Sequence, residues 1–157
     1  MKSSGSVVTW GNADWGGDSA VVREALASDV RQIAAAGCSF AAVKVDGSVV
    51  TWGCPHYFEG SAEVREALTS DVLQITASDD AFAAVKADGS VVTWGDSWSG
   101  ADSTAVQQQL GSNVYRITAT QRAFAAVKND GTVVTWGDNE CGGDSSAVQE
   151  QLGCEAA

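Results

Sequence analysis

The chain has 157 residues, a length typical of a single domain, and its 45% apolar content is typical of a globular protein. Its net charge of −11 argues against nucleic acid as the main ligand, because phosphate binding requires a basic surface. No apolar run approaches the ~18 residues of a membrane span, and the start, MKSSGSVVTWG, lacks the apolar segment of a secretory signal. We therefore expect no membrane span and an intracellular or organellar location.

A tandem repeat of 42 residues dominates the sequence. The heptapeptide GSVVTWG, or GTVVTWG, begins at Gly5, Gly47, Gly89 and Gly131. The period predicts a partial unit over 1–26, whole units over 27–68, 69–110 and 111–152, and a short tail over 153–157. An aromatic residue at a fixed repeat position is typical of a protein core, so the heptapeptide tryptophans are predicted to be structural: Trp10, Trp52, Trp94 and Trp136.

Each unit begins with two predicted strands. The first covers DVRQIAAA, DVLQITAS or NVYRITAT, and the second is FAAVK, whose lysine we expect to be solvated. An Asp-Gly pair follows and predicts a tight type I′ turn, for which Gly47, Gly89 and Gly131 supply the positive φ.

The third strand, VVTWG, completes a predicted hairpin with FAAVK. A turn centred on Asp46 and Gly47 would place Val43 opposite Val50 and Ala41 opposite Trp52. Both faces of such a sheet are apolar, so both must be covered, and the stacking of identical units would cover them.

A variable loop and a short predicted helix complete the unit. SAVVREAL and its three counterparts place Val and Leu four residues apart, and an aspartate precedes three of the four segments as a candidate N-cap. The predicted fold is mainly β: tandem repeats of about three antiparallel strands plus a short helix, arranged as a partial β-propeller or, alternatively, an open β-solenoid. The strand at 6–10 lacks a partner within its unit, which leaves a homo-oligomer or a place in a larger complex as possibilities.

The string SDDAFAAVKADGSVVTWGD, residues 78–96, resembles the regulator of chromosome condensation repeat. That family joins an apolar strand, an Asp-Gly turn and a strand ending in Trp-Gly. The resemblance implies a β-propeller built from antiparallel blades. It also implies a role as an interaction platform, as a nucleotide-exchange factor or within a ubiquitin ligase. The units here are shorter than those of the family and lack its Gly-Gln-Leu-Gly after the Trp-Gly loop.

Two sets of loops vary while the frame of the repeat stays constant. They cover 12–17, 54–59, 96–101 and 138–143 in one set, and 36–39, 78–81 and 120–123 in the other. Variable loops on a repeated frame are typical of a binding surface. The candidate binding residues are Asp14, Trp15, Tyr57, Phe58, Asp96, Trp98, Asn139 and Glu140. The spacing of the loop acids matches no calcium motif, so neither a metal site nor a cofactor is predicted.

No motif of an enzyme is apparent. The chain has no GxxxxGK phosphate loop, and Cys54 and His56 are close in sequence but have no orienting acid nearby. Four cysteines without a CxxC pair favour reduced thiols over a disulfide or a metal site, although their state is left open: Cys38, Cys54, Cys141 and Cys154.

The sequence therefore predicts a non-enzymatic scaffold that binds protein partners with a basic surface. One version of this prediction makes the chain a peripheral subunit of a larger assembly. A carbohydrate or small-ligand module that uses the loop tryptophans is the alternative. A regulator of a GTPase or a ubiquitin ligase comes third and depends on the resemblance alone.

Overall fold

The computed structural model describes residues 1–54 and 60–152, in which nine strands form three sheets of the same antiparallel topology. Sheet 1 contains β1 (Val30–Ala36), β2 (Ser39–Lys44) and β3 (Val49–Gly53). Sheet 2 contains β4 (Val72–Ala77), β5 (Ala81–Lys86) and β6 (Val91–Gly95). Sheet 3 contains β7 (Val114–Ala119), β8 (Ala123–Lys128) and β9 (Val133–Gly137). The prediction of a mainly β fold with three antiparallel strands per repeat is confirmed.

The hairpin turn differs from the predicted type I′. Gly47 has a φ of 82°, but Asp46 is not in the positive-φ region that a type I′ turn would require of it. The Gly47 amide donates to the Lys44 carbonyl over 3.0 Å, and the Lys44 amide donates to the Ser48 carbonyl over 2.9 Å. These bonds define a type I turn followed by a glycine bulge, which adds one residue to the loop.

The longer loop shifts the register of the hairpin by one residue. Phe40 pairs with Trp52 and Val43 pairs with Val49, so the predicted pairs Val43–Val50 and Ala41–Trp52 are wrong. Each phenylalanine consequently shares a face with the tryptophan opposite and stacks on it. The ring centroids lie 5.2, 5.2 and 5.3 Å apart in the pairs Phe40–Trp52, Phe82–Trp94 and Phe124–Trp136.

Each sheet has one face of Phe and Trp and one face of Ala and Val. The Ala-Val face of sheet 1 packs against the Phe-Trp face of sheet 2, as Ala41 and Val43 do against Phe82 and Trp94. Sheet 2 packs on sheet 3 in the same way. The first strand of each later sheet contacts the first and second strands of the sheet before it: β4 contacts β1 and β2, and β7 contacts β4 and β5. The sheets therefore stack face to face and lie closest along one edge.

Trp10 is an exception among the heptapeptide tryptophans. Its side chain is 83% exposed, whereas the other three are 3–4% exposed, so the prediction that Trp10 belongs to the core is wrong. Residues 6–10 form no strand. Within residues 1–26 no strand pairs with residues 6–10, and no phenylalanine stacks on Trp10. Val7, Val22 and Leu26 of this unit instead cover the Phe-Trp face of sheet 1.

Among the described residues, the predicted helix forms over most of its length only in the unit 27–68, as α1 (Ala62–Ala67). There Ser61 Oγ accepts a hydrogen bond from the Val64 amide over 3.3 Å. In the other units an aspartate accepts from the amide two residues ahead over 2.8–3.0 Å and begins a 3₁₀ turn instead. These turns are Ala20–Val22, Thr104–Val106 and Ser146–Val148. A further 3₁₀ turn, Gln109–Gly111, follows the second of them, and α2 (Gln149–Leu152) follows the third. No helix of the described residues is long and apolar enough to cross a membrane.

The lysine that ends each second strand has a structural partner, contrary to the expectation that it is solvated. Lys44, Lys86 and Lys128 donate through Nζ to the carbonyls of Ala25, Ala67 and Gln109 over 2.7–2.8 Å. These carbonyls lie at the ends of the helical segments, where no further turn supplies a donor. Each lysine therefore ties the preceding helical segment to the sheet.

Candidate functional site

The two variable loop sets meet at the end of the sheets opposite the Asp-Gly turns. Ser78 Oγ, in the turn between the first and second strands of sheet 2, donates to the Ser99 carbonyl over 2.7 Å. In sheet 3, Thr120 Oγ1 donates to the Cys141 carbonyl over 2.8 Å. We call this end the loop rim; its described residues are 12–17, 37–38, 54, 78–80, 96–101, 120–122 and 138–143.

The rim continues from one sheet to the next. The Asp79 amide donates to the Gln121 carbonyl over 2.8 Å and connects the strand turns of sheets 2 and 3. Loops that are far apart in the sequence thus form one continuous surface.

The described rim loops after the Trp-Gly pairs are built on short 3₁₀ turns. Each described loop contains a 3₁₀ turn that ends at a glycine in the left-handed region, such as Gly16 or Gly100. The Trp52 indole donates to the Gly16 carbonyl over 3.1 Å, and the Trp136 indole donates to the Gly100 carbonyl over 3.0 Å. A Cβ at Gly16 would lie 2.5 Å from the Phe40 ring. The loops 12–17 and 96–101 are therefore held against the Phe-Trp faces of sheets 1 and 3.

Both loop tryptophans among the predicted binding residues point into solvent. Trp15 ends the turn Ala13–Trp15 and is 66% exposed, while Trp98 lies inside the turn Ser97–Ser99 and is 78% exposed. Each lies within two residues of the anchored Gly16 or Gly100. An exposed indole on an ordered turn provides a large contact area at a small entropic cost.

The polar candidates differ in exposure. Asp14, Asn139 and Glu140 are exposed, whereas Asp96 is half-buried and accepts a hydrogen bond from Ser99 Oγ over 3.2 Å. Asn139 also lines a cleft of about 770 Å³ beside sheet 3. Tyr57 and Phe58 lie outside the described residues.

The rim is acidic. Its described carboxylates are Asp14, Asp79, Asp80, Asp96, Asp138 and Glu140. Arg122 forms an ion pair with Asp138 at 3.3 Å. Burial raises the pKa of Asp80, and the charges of Asp96 and Asp79 raise it further. Asp79, Asp80 and Asp96 therefore lie close enough to one another for their charges to interact.

One cross-strand position on the rim was not found by sequence reasoning. It consists of two facing residues, one just before the second strand of a sheet and one just after the third strand. The amide of the residue after the third strand donates to the carbonyl of the residue before the second strand over 2.9–3.1 Å. Its occupants are Cys38 with Cys54, Asp80 with Asp96, and Arg122 with Asp138. The repeat register contained the signal, but only the hairpin pairing shows that the two residues are neighbours. Among the described residues, no group of three or more His, Cys, Asp or Glu could hold a metal ion.

Several solved structures have a similar fold, although no protein-family model and no curated protein matches the sequence. Human WBSCR16 matches with a TM-score of 0.52 and 24% identity, over 72% of this chain and 35% of its own. Prp20p of Saccharomyces cerevisiae, described with its binding to Gsp1p and histones, matches with a TM-score of 0.53 and 20% identity, over 72% and 32%. Yeast RCC1 (Prp20) bound to Kap60 matches with a TM-score of 0.55 and 18% identity, over 84% and 39%.

The chain spans about a third of the length of these proteins. Its stacked three-stranded sheets and these likenesses show the fold, which is that of a partial β-propeller of the RCC1-like type.

Proposed function

We propose that the chain is a non-enzymatic module that binds a protein partner through the loop rim. The observation that carries the proposal is the exposure of Trp15 and Trp98 on ordered turns of this rim. Turns that are already ordered lose little conformational entropy on binding, and tryptophan is enriched among the residues that dominate interface energies.

The charge of the rim favours a partner with a basic surface. Only Arg122 offsets the rim carboxylates among the described rim residues, and it is already paired with Asp138. Opposite charges across an interface speed association and set the orientation of the partners. Binding through the rim should therefore weaken as salt is added.

The similar proteins support an interaction platform as the general role. Prp20p is described with its binding to Gsp1p and histones, and yeast RCC1 in complex with Kap60. Regulation of a GTPase or a ubiquitin ligase is the third candidate function. It ranks last because this chain covers only about a third of the similar proteins. A nucleotide-release assay with a panel of small GTPases would test the first of these activities.

Peptide selection followed by calorimetry would test the rim proposal. Random peptides displayed on phage would be selected on the full chain, and the affinity of the recovered peptides measured for each variant. We expect Trp15→Ala or Trp98→Ala to weaken binding at least about tenfold, or about 1.4 kcal/mol. We also expect basic peptides to be enriched.

Tyr115→Ala is the matched control, since Tyr115 is 56% exposed at the end of β7 away from the rim. Unchanged affinity in both tryptophan variants would exclude the rim as the binding surface. A glycan screen with and without chelator tests the alternative function: a glycan that binds the native chain but neither tryptophan variant would indicate a carbohydrate module.

A further inference from the structure

Cys38 and Cys54 lie directly opposite each other at the loop rim. Cys38 precedes β2 and Cys54 follows β3, so the pair closes the open end of the hairpin. The Cys54 amide donates to the Cys38 carbonyl over 3.1 Å, which extends the ladder one step beyond the pair Ser39–Gly53. Both cysteines are half-buried and carry free thiols. A small reagent in solution can therefore reach them.

The same position in the other sheets shows that side chains placed here touch. Arg122 and Asp138 form an ion pair at 3.3 Å across it. Asp96 is near enough to Asp80 for its charge to raise the pKa of Asp80. In sheet 1 the same position holds the two thiols of Cys38 and Cys54. Burial raises the pKa of the Cys38 thiol, and the neighbouring Cys54 raises it further.

The backbone separation suits a covalent link. Opposed residues in a hydrogen-bonded antiparallel pair have Cα atoms about 5.5 Å apart. Disulfides usually join Cα atoms ~4.4–6.8 Å apart. The ladder position therefore gives the two cysteines a backbone separation that a disulfide can span.

We propose that Cys38 and Cys54 form a reversible modification site, a dithiol that a peroxide oxidises to a disulfide and that a small thiol reduces again. The site is independent of the binding function proposed for the rim. It differs from the cross-strand positions of sheets 2 and 3, whose side chains have no redox chemistry.

The oxidation balances with one molecule of peroxide. One thiolate attacks a peroxide oxygen and the O–O bond breaks, so that the attacked oxygen stays on the sulfur as a sulfenic acid. The departing hydroxide takes up the proton that the thiol released and leaves as water. The second thiolate attacks that sulfur, the S–S bond forms, and the hydroxyl group leaves with a proton as a second water. Each thiol has then lost one electron to the peroxide. Two molecules of a small thiol such as glutathione reverse the reaction by exchange and leave as their own disulfide.

The disulfide would tie the start of β2 to the end of β3. It closes the ring of residues 38–54 and fixes the position from which the chain enters the variable loop 54–59. A cross-link of this kind restricts the unfolded chain, so the oxidised protein should unfold at a higher denaturant concentration than the reduced protein.

Intact-mass analysis and thiol titration of the full chain would test the proposal. The variant Cys141→Ser, Cys154→Ser keeps only the proposed pair. On treatment with hydrogen peroxide we expect it to lose two hydrogen atoms and both titratable thiols and to form no linked multimers. Dithiothreitol should restore both thiols. Oxidation should also raise the midpoint of urea unfolding.

Adding Cys38→Ser to that variant supplies the matched control, which should form no internal disulfide and show no shift of the midpoint. Peptide mapping of the oxidised native chain needs no variant and should recover Cys38 linked to Cys54. Recovery of these cysteines only as free thiols, as sulfinic or sulfonic acids, or in links to Cys141 or to a second chain would overturn the proposal.

Discussion

The Asp-Gly turn shows how a single residue joins two repeat units. The Gly47 amide donates to the Lys44 carbonyl within the turn. The Gly47 carbonyl accepts a hydrogen bond from the Val72 amide of the next unit over 3.0 Å. Gly89 bonds Val114 in the same way. A Cβ added to Gly47 or Gly89 would lie 2.6 or 2.5 Å from the backbone nitrogen of the facing residue, Asp71 or Asn113, so the approach is close. The glycine is therefore needed for the junction between units as well as for the turn itself.

Gly89→Ala should destabilise the protein strongly. The φ of Gly89 is 79°, and an added Cβ would lie 2.5 Å from the Asn113 amide nitrogen, which belongs to the backbone and cannot swing away. We expect a loss of about 1–3 kcal/mol from the backbone conformation alone, with the clash adding to it. Urea unfolding followed by circular dichroism would measure the change.

Gly111→Ala is the control for this substitution. Gly111 is not in the positive-φ region, and an added Cβ would meet nothing within 4 Å. Equal losses in the two variants would contradict the close approach at Gly89.

The stacked Phe-Trp pairs of sheets 2 and 3 pack against the Ala-Val face of the preceding sheet. Trp136 stacks on Phe124 and packs among Ala83, Val85 and Leu110 in the interface of sheets 2 and 3. Its indole also donates to Gly100, so it holds a rim loop as well as the sheet. The position of a tryptophan in the repeat is therefore not enough to bury it, since burial requires the neighbouring strand with its phenylalanine.

Trp136→Ala should cost about 3–5 kcal/mol of unfolding free energy, because the substitution leaves a cavity between two sheets and an unpaired Gly100 carbonyl. Trp10→Ala should change stability by less than about 0.5 kcal/mol, since Trp10 is 83% exposed. Thermal and urea unfolding of both variants would measure the difference. Comparable losses at the two positions would mean that Trp10 is buried in solution.

The stack of sheets ends in an apolar face. Ala125, Val127 and Val133 of sheet 3 are half-buried, while the equivalent Ala83, Val85 and Val91 of sheet 2 are 0–4% exposed beneath sheet 3. The same residue types thus form an internal interface in sheet 2 and a surface in sheet 3.

Lysine substitutions at equivalent positions distinguish the two faces. Val85→Lys places an unpaired charge between sheets 2 and 3 and should unfold the protein. Val127→Lys should cost no more than about 1 kcal/mol, since a lysine there can extend its ammonium into water. Circular dichroism reports the fold and light scattering the mass. If Val127→Lys unfolds the chain or lowers its mass, the outer face of sheet 3 is covered in solution by another copy.

The sequence determined what a local and periodic pattern can determine. The repeat, the three strands of each sheet, their antiparallel topology and the apolar character of both faces all follow from spacing and from residue type. The prediction of a partial propeller from the FAAVK, Asp-Gly and VVTWG strings is confirmed by the stacked sheets. The unit boundaries and the binding role of Asp14, Trp15, Tyr57, Phe58, Asp96, Trp98, Asn139 and Glu140 stay predictions.

Only the tertiary structure decided the register, the burial of each copy and the neighbours of each loop. One bulged glycine shifts the pairing by a residue, and in a strand such a shift exchanges the two faces. Trp10 has the same local sequence as Trp52, but Trp52 is buried on Phe40 of a paired strand whereas Trp10 is exposed. That partner strand is not part of the local sequence. Cys38 and Cys54 become neighbours through the hairpin, and Ser78 and Ser99 through packing at the rim. Periodicity identifies equivalent residues, but proximity depends on contacts between segments that are distant in the chain.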